Sequence, residues 1–181
     1  MPTPIREVAE GLLPRVDEMT EAMVEGYRQR IPDYPKLLAR HSQDVYAVSR
    51  KPPLIFFQLA LENRPATDQE LTVIRKAGRA RAGQGLTLES TLQAYSIGRE
   101  IAWQFISEAA EKAGVEEEEF SEVTILMARF MEKLALRVTQ GYLDHMKHAY
   151  EGEQHRRAVL IEIATAMSRS RDREGGAGWG L

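Results

Sequence analysis

The chain of 181 residues contains no cysteine. This absence excludes disulfide scaffolds, thiol nucleophiles, iron–sulfur clusters and cysteine-ligated zinc. An excess of one charge is also missing, because 24 Lys and Arg stand against 27 Asp and Glu, for a net charge of −3. Nucleic-acid-binding modules usually carry a basic excess. We therefore expect no direct nucleic-acid binding by this chain.

Long apolar runs are absent as well. The longest apolar clusters, such as Leu54-Ile55-Phe56-Phe57, have four residues, whereas a membrane span needs roughly 18. The opening residues, Met1-Pro2-Thr3-Pro4, lack the basic segment and the apolar segment of a signal peptide. Together these features predict a cytoplasmic protein with no membrane association.

The apolar residues that are present follow a helical period. Val16, Met19 and Met23 recur at spacings of three and four, which is typical of an amphipathic helix. Pro32 should end this helix near Ile31, because proline disfavours helical geometry in the preceding residue. No strand-like alternation of useful length appears, so the sequence predicts an all-α fold.

Two further signals locate helix boundaries in the next part of the chain. Pro52-Pro53 interrupts the apolar pattern and predicts two helical pieces, over 42–50 and 53–62, joined by a break or kink. Thr67 and Glu70 have the spacing of a capping box and precede an apolar run. We expect a helix to begin there.

The last predicted helix is long, since little between residues 116 and 168 interrupts its pattern. Its second half repeats apolar and charged residues at alternating steps of four and three, which is the heptad pattern of a coiled coil. This seam consists of Tyr142, Met146, Ala149, Glu153, Arg156, Leu160, Ile163 and Met167. It predicts a homodimer, whereas the alternative is a helix packed on its own domain.

Residues that could carry chemistry do not form a recognisable site. The four histidines lack the i, i+4 spacing usual for metal ligands on a helix, and we interpret them as exposed: they are His41, His145, His148 and His155. A basic run on one helix is interpreted as a solvated face; it consists of Arg75, Lys76, Arg79 and Arg81. We expect no catalytic residues, no metal and no cofactor, and hence no enzyme.

Three linked motifs resemble one family. They are the segment Arg81-Ala82-Gly83-Gln84-Gly85-Leu86-Thr87-Leu88, the segment Ala94-Tyr95-Ser96-Ile97-Gly98-Arg99, and Trp103. Over roughly residues 10–165, the chain resembles the N-terminal sensor domain of RsbR-type co-antagonists of RsbT, which also precedes PucR-type transcriptional regulators.

The resemblance implies a globin-like helical bundle without haem that forms dimers. It also implies a non-catalytic sensory or signal-relay domain of a bacterial regulator, in the stress response or in transcription regulation. Such domains precede an output module, and none is recognisable here. A fragment, a truncated protein and a free-standing regulator that controls a partner protein all remain open.

Two other functions stay open at this point: a haem-binding globin-type sensor and a small-molecule-binding regulatory domain. Haem needs an axial ligand in the middle of the bundle, yet no histidine lies between residues 42 and 144. For a small molecule, the motif residues Tyr95, Arg99 and Trp103 share one helix face at steps of four. They are a candidate pocket, or alternatively part of the core.

The domain organisation follows from these patterns. We expect a helical sensor domain over residues 1–150 and a coiled-coil connector helix over 151–168. The Arg-, Ser- and Gly-rich composition of residues 169–181 predicts a flexible tail or linker. Gly98 lies in the middle of a segment that otherwise strongly favours a helix. A glycine at such a position predicts the close approach of another helix.

Overall fold

A computed structural model describes residues 4–175 of the chain, with side chains over residues 5–165. All secondary structure in that range is helical, which confirms the predicted all-α fold. The described elements are α1 (Pro4–Leu12), a 3₁₀ turn (Leu13–Arg15), α2 (Val16–Arg30), α3 (Tyr34–Glu62), α4 (Asp68–Gly83), α5 (Leu88–Ala113) and α6 (Glu117–Gly175).

Helix α1 is an element that the sequence reading missed. Val8, Ala9 and Leu12 are buried, with at most 3% of their surface exposed. With Ile5 they follow the i, i+3, i+4, i+7 spacing of an amphipathic helix. The pattern was therefore available, although it covers only two turns before the 3₁₀ turn that contains Pro14.

Two predicted helix boundaries are confirmed. Helix α2 ends at Arg30, and Ile31 is extended with φ −120° and ψ 114°. The capping box at the start of α4 is complete: the Glu70 amide donates to the Thr67 hydroxyl at 3.3 Å, and the Thr67 amide donates to the Glu70 carboxylate at 2.8 Å. Both boundaries depend on neighbours in sequence, which explains why they could be predicted.

The predicted break at Pro52-Pro53 is wrong. Helix α3 runs through both prolines, and its one non-helical residue is His41, with φ −137° and ψ 32°. Proline cannot donate to the carbonyl four residues earlier, but its fixed φ is close to the helical value. Burial of Pro53 and of neighbouring aromatic side chains compensates for the lost hydrogen bonds.

Helices α4 and α6 cross with their backbones in contact. A β-carbon on Gly78 of α4 would lie 2.0 Å from the carbonyl oxygen of Val138 in α6. A second glycine lies in the same crossing, since a β-carbon on Gly141 would lie 1.8 Å from the carbonyl oxygen of Arg75. Only glycine permits so close an approach from either helix.

The chain divides into two compact units, Met1–Leu143 and Asp144–Leu181. The described core lies in the first unit, to which α6 contributes Val123, Met127, Phe130, Leu134 and Val138. Helix α6 extends to Gly175, into the segment 169–181 for which we predicted a tail. Residues 176–181 lie outside the described residues.

The predicted seam residues have different surroundings. Tyr142, in the first unit, is partly buried, and its hydroxyl donates to the carbonyl of Leu86 at 2.9 Å. In the second unit Met146, Leu160 and Ile163 are each at least half exposed, and Ala149, Glu153 and Arg156 are exposed as well. The side chain of Met167 lies outside the described residues.

None of the helices described over residues 4–175 combines the length and the apolar character that crossing a membrane requires.

Candidate functional site

A cavity of about 60 Å³ lies at the centre of the first unit. Five helices, α2 to α6, contribute to its wall. Most of the wall is apolar, and its aromatic side chains pack on one another: the rings of Phe56 in α3 and Phe130 in α6 have centroids 5.4 Å apart. Most of the side chains that line the cavity therefore also belong to the core.

Three tyrosines bring hydroxyl groups into this apolar wall: Tyr27 of α2, Tyr34 of α3 and Tyr95 of α5. The rings of Tyr27 and Tyr34 lie 5.1 Å apart and are tilted by 57°. Burial raises the pKa of all three groups, that of Tyr34 to about 12. The three hydroxyls therefore remain protonated at neutral pH and can donate hydrogen bonds.

The hydroxyls differ in their partners. Ser49 acts on the Tyr27 hydroxyl and Arg81 on that of Tyr34, and both interactions lower the pKa against the larger effect of burial. The hydroxyl of Tyr95 is buried and has no hydrogen-bond partner among the described residues. A buried polar group without a partner is uncommon and costly, so the Tyr95 hydroxyl lowers the stability of the fold.

Arg81 places a buried cation beside the tyrosines, with only 4% of its side chain exposed. The guanidinium donates to the Asp44 carboxylate and to the Gln84 side-chain oxygen, both at 2.6 Å. Gln84 also donates to Asp44 at 3.0 Å. Partial burial would raise the pKa of Asp44, but the hydrogen bonds from Gln84 and Arg81 outweigh it and hold that pKa below its ordinary value.

For one member of the basic run the predicted solvated face is wrong. Arg75, Lys76 and Arg79 are exposed, whereas Arg81 is buried against Asp44. Arg81 follows Arg79 by two residues, which is about 200° around the helix. Arg81 and Gln84 both belong to the first of the three family-like motifs. In the structure they form one polar cluster with Asp44 around the buried guanidinium.

The candidate pocket residues are only partly brought together. Tyr95 and Arg99 line the cavity, and the Arg99 residue is exposed. Trp103 is not among the lining residues: it is partly buried, and its ring centroid lies 5.1 Å from that of Phe120. Sequence reasoning missed Tyr27 and Tyr34, which come from other helices and gave no signal beyond their place in amphipathic patterns.

Gly98 provides the space for one of these tyrosines. It is buried in α5, and a β-carbon there would lie 2.9 Å from the hydroxyl oxygen of Tyr27. The close approach that the sequence predicted at Gly98 is therefore made by α2. A side chain at this position would push the Tyr27 hydroxyl away from its place beside Ser49.

Histidine ligands for a metal or haem are not gathered around the cavity. No histidine is among its lining residues; His41 lies at the irregularity in α3, and the Nδ1 of His148 contacts the Asp144 carbonyl oxygen in the second unit. Within the described part of the chain, no group of three or more His, Asp or Glu side chains is placed to hold a metal ion.

The RsbT co-antagonist protein rsbRD N-terminal domain is the family whose model matches this chain, over residues 17–157. That range begins in α2, contains the whole cavity wall and ends within α6. Neither a curated protein nor a solved structure matches the chain. Because the family model covers well over half of the sequence, the chain belongs to the family of rsbRD N-terminal domains of RsbT co-antagonist proteins.

Proposed function

We propose that this chain is a non-catalytic sensory domain of a bacterial regulator, which dimerises in the cytoplasm and relays a signal to a partner protein or output domain. Membership in a family named for co-antagonists of RsbT supports a regulatory role in stress-response signalling. The exposed apolar side chains of α6 support the proposed dimer.

In the second unit, large apolar side chains are exposed at repeated positions. Met146, Tyr150, Leu160 and Ile163 each have at least half of their surface exposed. Single exposed apolar residues are ordinary, but a contiguous apolar patch on a soluble protein usually marks an interaction surface. Steps of three and four between seam positions favour a second copy of the same helix as the partner.

The two charged seam positions are compatible with this role, although they weaken it. Glu153 forms an ion pair with Arg157 of the same helix, and the Nε of Arg156 donates to the Gly152 carbonyl at 3.3 Å. Neither charge needs a partner from another chain. Polar residues at seam positions lower the stability of a coiled coil and fix its register.

Light scattering on the full chain tests the dimer, which should have about twice the 20.5 kDa mass of one chain. Replacing two apolar seam residues, Leu160→Glu with Ile163→Glu, should give monomers. Ile161→Glu is the matched control, because Ile161 is 67% exposed but lies one residue off the seam. It should leave the dimer intact.

A monomeric wild-type chain at micromolar concentration would contradict the proposal. Dissociation by Ile161→Glu but not by the seam pair would show that another face of α6 forms the contact. Relay to a partner is tested separately by mixing the dimer with RsbT. A species with a mass greater than that of the dimer would support binding of RsbT.

A further inference from the structure

The central cavity is partly open to solvent. Some of its lining residues keep part of their surface exposed, and we call them the rim: Val48 and Pro52 of α3, Tyr95 and Arg99 of α5, and Met131 of α6. The other lining residues are buried. A bound molecule can therefore have one end inside the apolar wall and the other end in water.

Arg99 is the cation of the rim. The residue is exposed, and it forms no hydrogen bond or ion pair with any other residue in the described part of the chain. On a helix, the side chains three and four positions away are the nearest neighbours. For Arg99 these are Tyr95, Ser96, Ala102 and Trp103, none of which is acidic. Helix α5 therefore leaves this guanidinium available to an anion from outside the chain.

The lining of the cavity favours a single negative charge. It contains two arginines and, among the described residues, no Asp or Glu. Arg81 is buried and paired with Asp44 at 2.6 Å, so the uncompensated charge is that of Arg99. A guanidinium binds a planar carboxylate through two parallel hydrogen bonds. Because Arg99 is exposed, the carboxylate of a ligand stays partly hydrated there and avoids most of the cost of burying a charge.

The buried wall is rich in aromatic rings. Three phenylalanines and three tyrosines line the cavity, and the ring centroids of Phe56 and Phe130 lie 5.4 Å apart. Aromatic rings attract one another in edge-to-face and offset arrangements, beyond the effect of the apolar area that they bury. The interior of about 60 Å³ holds roughly four to six water-sized groups at about 10–15 Å³ each, which is enough space for one six-membered ring.

We propose that the central cavity binds a small aromatic carboxylate, with its ring among the phenylalanines and tyrosines of the wall and its carboxylate on the Arg99 guanidinium. This deepens the proposed function and rests on it for its biological meaning, because it names the chemical class that the sensory domain detects. Only hydrogen bonds, charge and apolar contact are involved, with no covalent step.

The probe 3-phenylpropionate joins one ring to one carboxylate through a short flexible link. Its titration into the full-length chain, followed by amide NMR, should give saturable shifts for Ala94, Gly98 and Ala102, which line the cavity. Arg99→Gln should weaken binding about tenfold, because a hydrogen-bonded charge partner is lost. It should leave the denaturation midpoint unchanged, since the side chain is exposed and unpaired.

Arg79→Gln is the matched control. Arg79 is also an exposed arginine without a partner in the described part of the chain, but it does not line the cavity. This variant should bind 3-phenylpropionate as the wild type does. An equal loss of affinity in Arg79→Gln and Arg99→Gln would show that only the overall charge of the chain matters, and would overturn the proposal.

Two further ligands test the two halves of the proposed chemistry. The neutral amide 3-phenylpropanamide should bind the wild type about tenfold more weakly than the carboxylate, and Arg99→Gln should not weaken it further. The saturated analogue 3-cyclohexylpropionate should bind severalfold more weakly than 3-phenylpropionate. No saturable shift with 3-phenylpropionate, equal affinity for the amide, or a preference for the saturated ring would each overturn the proposal.

Light scattering on the same samples separates this proposal from the proposed dimer. A dimer that does not bind 3-phenylpropionate would count against the ligand alone. A monomer that binds it in a manner that depends on Arg99 would support the cavity proposal and count against dimerisation through α6.

Discussion

The hydroxyl of Tyr27 fills the space in which a side chain on Gly98 would begin. The oxygen lies 2.9 Å from the position of a β-carbon at Gly98, closer than ordinary van der Waals contact, and the Met23 sulfur is the next nearest atom at 3.7 Å. Because Tyr27 is buried, its ring has little freedom to move aside. Gly98 therefore helps to set how α2 and α5 pack, together with Gly26 of α2, where a β-carbon would lie 2.9 Å from the Ile97 side chain.

Gly98→Ala should be slightly destabilising, by about 1 kcal/mol, since overpacking outweighs the better helix propensity of alanine. Gly98→Leu should cost about 3 kcal/mol or more. In a Tyr27→Phe background the hydroxyl is gone, and Gly98→Ala should become neutral or stabilising. Denaturant midpoints of the wild type, Gly98→Ala, Tyr27→Phe and the double variant give the coupling energy between the two residues. Stabilisation by both single substitutions at Gly98 would disprove the contact.

Alanine at Gly78 or Gly141 should be more harmful than at Gly98, because each β-carbon would meet a backbone carbonyl rather than the end of a side chain. We expect a loss of about 3 kcal/mol for each. Gly152→Ala is the control: nothing lies within 4 Å of its β-carbon position, so helix propensity alone should make it stabilising by up to about 1 kcal/mol. Equal effects at Gly141 and Gly152 would contradict the close crossing.

Trp103→Ala should destabilise the first unit, but by less than a fully buried aromatic residue would. Trp103 is partly buried against Phe120, so we expect a loss of about 2 kcal/mol, compared with about 3–5 kcal/mol for a buried aromatic. Phe57→Ala provides the comparison, because Phe57 is 1% exposed. An unchanged unfolding midpoint for Trp103→Ala would place its ring on the surface.

Asp44→Ala should leave the Arg81 guanidinium buried with only the neutral partner Gln84. Breaking a fully buried pair costs about 3–5 kcal/mol. The Asp44 side chain is 42% exposed, so water replaces part of the interaction and we expect about 2 kcal/mol. Glu100→Ala, which breaks the exposed pair with Arg30, should change stability by less than about 0.5 kcal/mol.

Stability should fall in acid partly because of Glu70. The Arg64 guanidinium and the Thr67 amide and hydroxyl lower the pKa of Glu70 to about 2, from an ordinary value of 4.5. A carboxyl with a lower pKa in the folded chain contributes stability above its unfolded pKa, and this contribution disappears as pH falls through the folded pKa. Glu70→Gln should therefore be destabilising at pH 7.

The same substitution should lose its effect as pH falls from about 4.5 towards 2. Glu89→Gln, in the first turn of α5, is the control for removing one carboxylate charge from a helix start. Denaturant midpoints at pH 7 and pH 3 measure both. A Glu70→Gln effect that is equal at the two pH values would argue against the hydrogen bonds around this carboxylate.

Local features could be predicted from the sequence, whereas the partners in tertiary contacts could not. The capping box of Thr67 and Glu70 involves atoms three residues apart, so its pattern is complete in the sequence. Arg81 and Asp44 are 37 residues apart. The spacing of Arg81 from Ile74 and Ala77 places it on the apolar face of α4, but that pattern does not identify Asp44 as its partner. An isolated glycine such as Gly141 is tolerated within a helix, and the sequence does not show that the Arg75 carbonyl of another helix requires it.

The candidate site shows the same division. Tyr95 could be found because it belongs to the motif in α5. Gly98 could be found because glycine is unfavourable inside a helix, so its presence there predicts a close contact. Tyr27 and Tyr34 belong to the site only because α2 and α3 fold against α5. Their hydrophobic spacing predicts burial, but it does not predict which buried residues meet.

The two glycines at the α4–α6 crossing also restrict how these helices can rearrange. Gly78 and Gly141 form two notches, each occupied by the backbone of the other helix. Sliding either helix by one turn would bring side-chain-bearing residues into the notches and force the axes apart. Tilting about the crossing keeps both notches filled. The crossing is thus a pivot, and a switch that preserves it changes the angle between α4 and α6 rather than their register.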